Sequence, residues 1–453
     1  VKDLRQHLKD LEKTNEIWYS DEALDPRYEV TALWEEAKAK GKDVALYFNK
    51  VKGSEYPLVA NVYGGRERLA KALGVPIEQA AQYYQDRQAN PINPVFTQEA
   101  PAQEIVFEKN DVDLLQFPVI TGHEADVAPY ITSGLSIARD PVTGQRNVSF
   151  NRLQVVNKNT AYIHLGTGRH LTYFFKRAEE LGQPLPVTFS LGTPPAFALG
   201  ALGLGPVGLD ETGIMGSLAG EPVRLVKAKT VDCVGLADAE IILEGEILPG
   251  IREEEGPFCE FTGYATGVRK REVVRFKGIT CRRNPIYQAL IAGSAEHCIL
   301  GAIPREGQLL KTAKQIAPRL KAIHMTPAGC GRFTCYLALE KTTEAQPWNV
   351  GMSILGADVF TKNIVILDDD INIFNEEEVQ WAIATRCQPA RDYLIIPKAM
   401  GTDLDPSAEV EHVGSKVIID ATAKPNLKSY HIRASVPAEI RAKATLERFF
   451  KGI

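Results

Sequence analysis

Leu4, Leu8 and Leu11 recur at helical spacing in VKDLRQHLKDLEK, and a second helical period covers residues 32–40. DVALYFN and PLVANVY are short apolar runs with the length of buried strands. NPINPVFTQEAPAQ, residues 91–104, has no period and is rich in proline and polar residues, so it reads as a connector. From 105 to 305 the pattern alternates. YITSGLSIARD, NRLQVVN, TAYIHL, VRLVKAKTVDCVG, AEIILEGEIL, REVVRFKGITC and PIYQALIA are strands separated by Gly, Pro, Asn and Asp turns. Helical interruptions fall at LTYFFKRAEELG and at residues 210–219, which predicts a barrel-like β domain carrying inserted helices. EGQLLKTAKQIAPRLKAI then predicts a helix broken near Pro318. Beyond it, FTCYLALE and NIVILDD alternate with the helical EEEVQWAIATR, an α/β pattern of a separate C-terminal domain. VPAEIRAKATLERFFKGI closes the chain as an amphipathic helix.

Composition narrows the class. A chain of 453 residues favours two or three domains over one. With 44% hydrophobic and 24% charged residues it has the balance of a soluble protein with a large core. A formal charge of −5 gives no global basic field for nucleic acid. No apolar run approaches the roughly 18–20 residues that span a bilayer, and the charged opening segment is unlike a signal peptide. The seven cysteines are scattered with no CxxC pair, against a disulfide framework or structural zinc and for a reducing cytoplasm.

Several segments can carry chemistry. In Glu255-Gly-Pro-Phe-Cys-Glu260, Gly and Pro shape a turn that can aim two acids into one pocket; the plainer reading is a solvated acidic turn. In Asn147-Val-Ser-Phe-Asn-Arg152, an arginine among apolar strand residues needs either a buried anion or a route to water. Leu165-Gly-Thr-Gly-Arg-His170 offers close backbone approach and an imidazole, either a metal ligand or an ordinary hydrogen-bonded histidine. Glu211 is a helix-start acid or a metal ligand; the nearby GALGLG lacks the spacing of a dinucleotide fingerprint. Asp368-Asp-Asp370 reads as a solvated turn, Lys416 as a phosphate contact or a charged edge, and His297 with Arg305 as a second basic pair or a surface pair.

Taken together, DVAPYITSG, NVSFNRLQV, GRH, GLDE, ADAEIILEGE, EGPFCEFTGY, DDDINIF, WAIATR and LDPS resemble, block by block and in order, the UbiD-like decarboxylases. The resemblance runs from about residue 105 to 425 and more loosely to both ends. It implies an α+β fold: an N-terminal α/β region (1–104), a split β-barrel flavin-binding catalytic domain (105–305), a helical connector (306–322) and a C-terminal α/β oligomerisation domain (323–453). It implies that Arg152, Glu255 and Glu260 are the catalytic Glu-Arg-Glu set, and that Asn147, His170 and Glu211 hold a divalent metal, usually manganese. Arg152, Arg169 and Lys416 join them in binding prenylated FMN. Potassium is a further expectation, although Ala201 and Leu202 stand where fungal relatives have serines. The implied activity is reversible, non-oxidative decarboxylation of an aromatic acid through a covalent prenylated-flavin adduct. The cofactor comes from a partner flavin prenyltransferase, and the assembly is a homodimer or dimer-based homo-oligomer such as a hexamer. The spacing of His297 and Arg305 resembles that of furan-dicarboxylate decarboxylases, so the expected substrate is furan-2,5-dicarboxylate. Pyrrole-2-carboxylate and hydroxybenzoates remain alternatives, as do a flavin oxidoreductase and a metal-stabilised assembly protein.

Overall fold

A computed structural model describes residues 3–166, 168–426 and 433–450. Its described strands form four sheets. The first packs the N-terminal strands Ile17–Leu24, Ala45–Val51 and Leu58–Ala60 beside Tyr287–Ala289, so a late strand of the catalytic region completes the N-terminal sheet. The periods read as helices at the start of the chain are helices, Leu4–Lys13 and Glu29–Ala39.

The central sheet has nine strands, and it does not close on itself. Tyr130–Ile131 lies at one end of its hydrogen-bonded path and Arg146–Phe150 at the other. The chain leaves Arg146–Phe150 and resumes at Leu153–Asn157, next to the opposite end. Asn151 and Arg152 therefore cross the open seam of the split barrel. Asn151 stitches the crossing: its side-chain oxygen accepts from Ser136 Oγ at 2.8 Å and Ser149 Oγ at 2.9 Å, and its amide donates to the His164 carbonyl at 3.0 Å. The two longest strands, Ile241–Glu255 and Arg269–Cys281, pair antiparallel and carry the Glu255–Glu260 turn between them.

Helix His170–Glu180 covers this sheet with Leu171, Phe174, Phe175 and Ala178, the i, i+3, i+4, i+7 stripe that its sequence spells. Each fully buried Phe contributes about 1.5–3 kcal/mol through lost apolar exposure. The 210–219 segment is a helix, Glu211–Ala219, as its sequence predicts.

Two expectations need correction. The helix placed in the connector begins earlier, running Ala295–Lys314 with Pro304 inside it, and ends before Pro318. Ser294 caps it by accepting the His297 N–H at 3.2 Å, a strong start signal that precedes the connector boundary drawn from the pattern. The closing amphipathic helix is two short pieces, Ala438–Lys443 and Leu446–Phe449, and residues 451–453 lie outside the described residues. The C-terminal domain is a five-stranded mixed sheet, ordered Leu320–Met325, Thr334–Leu339, Asn363–Asp368, Val413–Asp420, Tyr393–Met400. Among the described residues no helix is long and apolar enough to cross a membrane.

Candidate active site

Arg152 and the two acids of the Gly-Pro turn meet. Glu255 holds the guanidinium through two parallel bonds, Nε to Oε1 at 2.8 Å and Nη2 to Oε2 at 3.0 Å. Glu260 Oε1 accepts from the remaining Nη1, and Phe258 stacks under the guanidinium at 4.7 Å. Burial opposes the Arg152 cation, but the bonds and charges of Glu255 and Glu260 outweigh it and raise its proton affinity above the ordinary arginine value.

The turn is held from outside by residues that sequence reasoning missed. Asp126 accepts the Cys259 N–H at 2.8 Å and the His123 N–H at 2.9 Å. Gln154 Oε1 accepts from the Gly256 N–H at 2.9 Å and from the Tyr130 hydroxyl at 3.0 Å. Gly256 has φ +93°, a conformation that any Cβ would strain. Asp126 and Tyr130 lie in the GHEADVAPY stretch, inside a block that carried the family resemblance, but only the fold shows what they grip.

Asn147, His170 and Glu211 also converge. Glu211 is buried; its Oε1 accepts from Asn147 Nδ2 at 2.9 Å and its Oε2 from the Val148 N–H at 2.8 Å. His170 Nδ1 stands 3.9 Å from Glu211 Oε1. Hydrogen bonding to Glu211 raises the imidazole's proton affinity, and burial raises that of the Glu211 carboxyl. Asn147 Oδ1 is buried with no partner. An orphaned amide oxygen beside an imidazole and a carboxylate is a donor set that fits a hard divalent cation such as Mn²⁺.

His297 and Arg305 share the helix Ala295–Lys314, two turns apart, and the surface-pair reading fails: Arg305 is 8% exposed. Arg305 already pairs with Asp358 and stacks on Phe360 at 4.8 Å. The imidazole of His297 is pushed down to about 3 by burial and by the charges of Arg332 and Arg152, so it is neutral near pH 7. Arg332 was not anticipated. Its guanidinium lies over Phe261 at 4.3 Å, donates to the Cys330 carbonyl at 3.5 Å, and has no carboxylate ion pair among the described residues. Burial, then the charges of Arg305 and Arg169, lower it to about 10. It fits between His297 and Arg305 because position 301 is glycine; a Cβ there would collide with the guanidinium. A single arginine in GCGRF carries no local signal for this.

Among the described residues Lys416 makes no bond to Asn147, His170 or Glu211. It is buried in Val413–Asp420, with Nζ donating to the carbonyls of Asp358 at 2.9 Å, Val359 at 3.4 Å and Leu355 at 3.5 Å around the end of helix Gln346–Ala357. Asp368 and Asp370 bind Arg386 at 2.8 and 2.7 Å, an ion-paired turn at a strand end.

The open nine-stranded sheet thus presents an arginine clamped by two acids and, in the same part of the chain, a carboxamide-imidazole-carboxylate cluster. Residues 8–87, 94–295 and 298–421 match in turn the N-terminal, Rift-related and C-terminal domains of 3-octaprenyl-4-hydroxybenzoate carboxy-lyase. The chain belongs to this UbiD family of carboxy-lyases. It is 39% identical to the UbiD-class enzyme HmfF from Pelotomaculum thermopropionicum, solved in complex with FMN. That similarity covers 99% of this chain and 100% of that one, with a TM-score of 0.94. An evolved dimeric form of HmfF in complex with prFMN is 37% identical over 99% of this chain and 100% of that one, with a TM-score of 0.90. Anhydromevalonate phosphate decarboxylase of Methanothermobacter thermautotrophicus is 31% identical over 89% of this chain and 94% of its own length.

Proposed function

We propose that this enzyme decarboxylates a small planar acid carrying a second anionic group, with furan-2,5-dicarboxylate, yielding furan-2-carboxylate, as the substrate. The observation that carries this is the half-buried Arg332 cation, without a carboxylate ion pair among the described residues and flanked by His297 and Arg305, apart from the Arg152 clamp. A monoacid leaves this second cationic site without an anion; a planar diacid satisfies both. Among the relatives, one acts on a phosphorylated acid, so a carboxylate paired with a second anion has a precedent in the family.

Prenylated FMN is the proposed cofactor, in line with the HmfF complexes. Asn147 Oδ1, His170 and Glu211 would hold Mn²⁺, and backbone carbonyls near Ala201 and Leu202 would hold K⁺. Arg169 takes the cationic role expected of Lys416, whose donors are spent on carbonyls. When bound, the prenylated flavin supplies the electron sink that loss of CO₂ from an sp² carbon requires. The protein's own part follows from the site. Arg152 orients the leaving carboxylate, and Glu255 keeps the arginine planar to it. An arriving carboxylate competes with Glu260 for Nη1; once released, Glu260 would take up a proton from solvent and pass it to the carbon that CO₂ leaves. Exposed Val436, Ile440, Leu446, Phe449 and Phe450 near the chain end favour a homodimer or a larger dimer-based assembly, which light scattering checks against monomer mass.

The test is an acid panel on enzyme co-expressed with a flavin prenyltransferase, with CO₂ release and cofactor mass measured together. Arg332→Gln and Arg305→Ala should each impair furan-2,5-dicarboxylate by about 1.5–3 kcal/mol, the scale of a charged hydrogen bond, and act much less on furan-2-carboxylate. Equal losses on both substrates, or no activity of the parent enzyme on the diacid, reject the diacid and leave pyrrole-2-carboxylate and hydroxybenzoates. Flavin reduction without CO₂ release would instead indicate an oxidoreductase, and neither activity in protein of full cofactor content an assembly role.

A further inference from the structure

A cavity of about 140 Å³ abuts the Arg152 clamp and does not include His297, Arg305 or Arg332. Arg152, Glu255 and Glu260 form part of its wall; His164 and Arg271 form another part; Leu404 from the C-terminal domain also lines it. Its rim is the turn after Glu260, where Tyr264 is 64% exposed. The volume admits a carboxylate group with a few waters, at about 30 Å³ for each water, and it is far too small for a flavin.

Two polar groups in this wall lack protein partners. Arg271 Nε is buried and unbonded, and no hydrogen bond or ion pair engages its guanidinium among the described residues. It stands in strand register opposite Glu253, while its neighbour Arg269, opposite Glu255, is taken by Glu411 at 2.5 Å. His164 Nδ1 is likewise buried and unbonded. Burial and the charges of Arg152, Arg271 and Arg269 drive the His164 imidazole down to about 2, so it is neutral and has a single N–H to offer. A partly buried cation and a free imidazole nitrogen facing one small chamber are costly unless an anion visits. The chamber has a solvent-facing rim and reaches Arg152 within.

We propose that Arg271 and His164 form an inlet site that receives the substrate's carboxylate at the chamber rim and passes it to Arg152. This rests on the decarboxylase reading. No bond is made or broken there: the carboxylate exchanges water for Arg271, then Arg271 for Arg152. Such a site acts on capture and is screened by salt.

The experiment compares parent holoenzyme with Arg271→Gln and Arg271→Lys on whichever acid of the panel is turned over. Arg271→Gln should lower kcat/KM about tenfold while kcat stays within about twofold, and kcat/KM should fall less steeply between about 20 and 200 mM KCl than in the parent. Arg271→Lys, which keeps the charge, should recover most of the loss and the salt slope. A fall in kcat at unchanged KM, or a salt slope equal to the parent's, overturns the inlet. Should Arg271→Gln fail to fold, Arg271→Lys decides: it should fall between parent and a tenfold loss, in kcat/KM alone. If no acid on the panel is turned over, the decarboxylase reading fails separately. The inlet is then read by calorimetric acetate binding, which Arg271→Gln should weaken at least about fivefold; equal binding overturns it.

Discussion

Arg152 is held in place by opposition: burial works against its charge, and two carboxylates restore it. Glu260 is the less tightly gripped of the two acids, with one contact to the guanidinium against Glu255's two, and among the described residues its Oε2 accepts only the Phe261 N–H at 3.2 Å. In the proposed mechanism that asymmetry would make Glu255 the anchor and Glu260 the proton carrier. Glu260→Gln should keep cofactor and metal yet lose about 10²–10⁴ in turnover, the usual effect of removing one general acid; turnover near the parent's, at full flavin absorbance, would remove Glu260 from the mechanism. His170 belongs to the other cluster and predicts a different phenotype. If His170 is a metal ligand as proposed, His170→Ala should lower manganese by elemental analysis and flavin by absorbance together; full metal occupancy in that variant would exclude the imidazole as an important ligand.

Helix Ala295–Lys314 shows how an element gathers side chains with a partner that lies far away in sequence. His297, Gly301 and Arg305 follow at i, i+4 and i+8, roughly one face, and Arg332 fills the notch left by the glycine. Gly301→Ala adds helix propensity worth about 1 kcal/mol but forces the Arg332 guanidinium aside. The thermal midpoint should hold or rise while KM for the diacid climbs and the monoacid is little affected; an unchanged diacid KM would show that Arg332 tolerates the shift. The same helix marks the limit of reading from sequence. Arg152, Glu255, Glu260, Asn147, His170 and Glu211 were legible because their spacing sits in short motifs, and the structure brings each trio together. His297 and Arg305 were picked out by spacing too, but the structure pairs Arg305 with Asp358 and holds His297 neutral, so their role toward a substrate belongs to the proposal. Arg332, Asp126, His164 and Arg271 were not, since their meaning comes from pairings across sheets and domains. Pro318 misled because a proline is a visible breaker, whereas the Ser294 cap that starts the helix is a common residue inside a β-rich stretch.

Across the whole molecule, the histidines store opposite responses to pH. His164 and His297 are held neutral, at about 2 and about 3, by burial among arginines. His123 is raised to about 10, first by its Asp126 partner and then by Cys259, and is a cation near pH 7. For the first two, the unfolded chain takes up protons below about 6.5 while the folded one does not, so folding stability falls as pH drops from 6.5 toward 3, by up to about 1.4 kcal/mol per pH unit for each. For His123 the sign reverses: its stabilisation is full below 6.5 and is lost as pH rises through about 10. The enzyme should therefore be most stable near neutrality, with an acid limb set in part by the arginine-rich site and an alkaline limb by the pair that anchors the Glu255–Glu260 turn. His164→Asn should flatten the decline of the thermal midpoint between pH 6.5 and 4, because asparagine takes up no proton on unfolding. His123→Gln should leave that limb alone and cost most at pH 6, with the difference from the parent vanishing above pH 10. Parallel acid limbs for parent and His164→Asn would mean that His164 already protonates in the folded enzyme. The neutral-imidazole form of the inlet would fall with it, while the clamp and the metal cluster would stand.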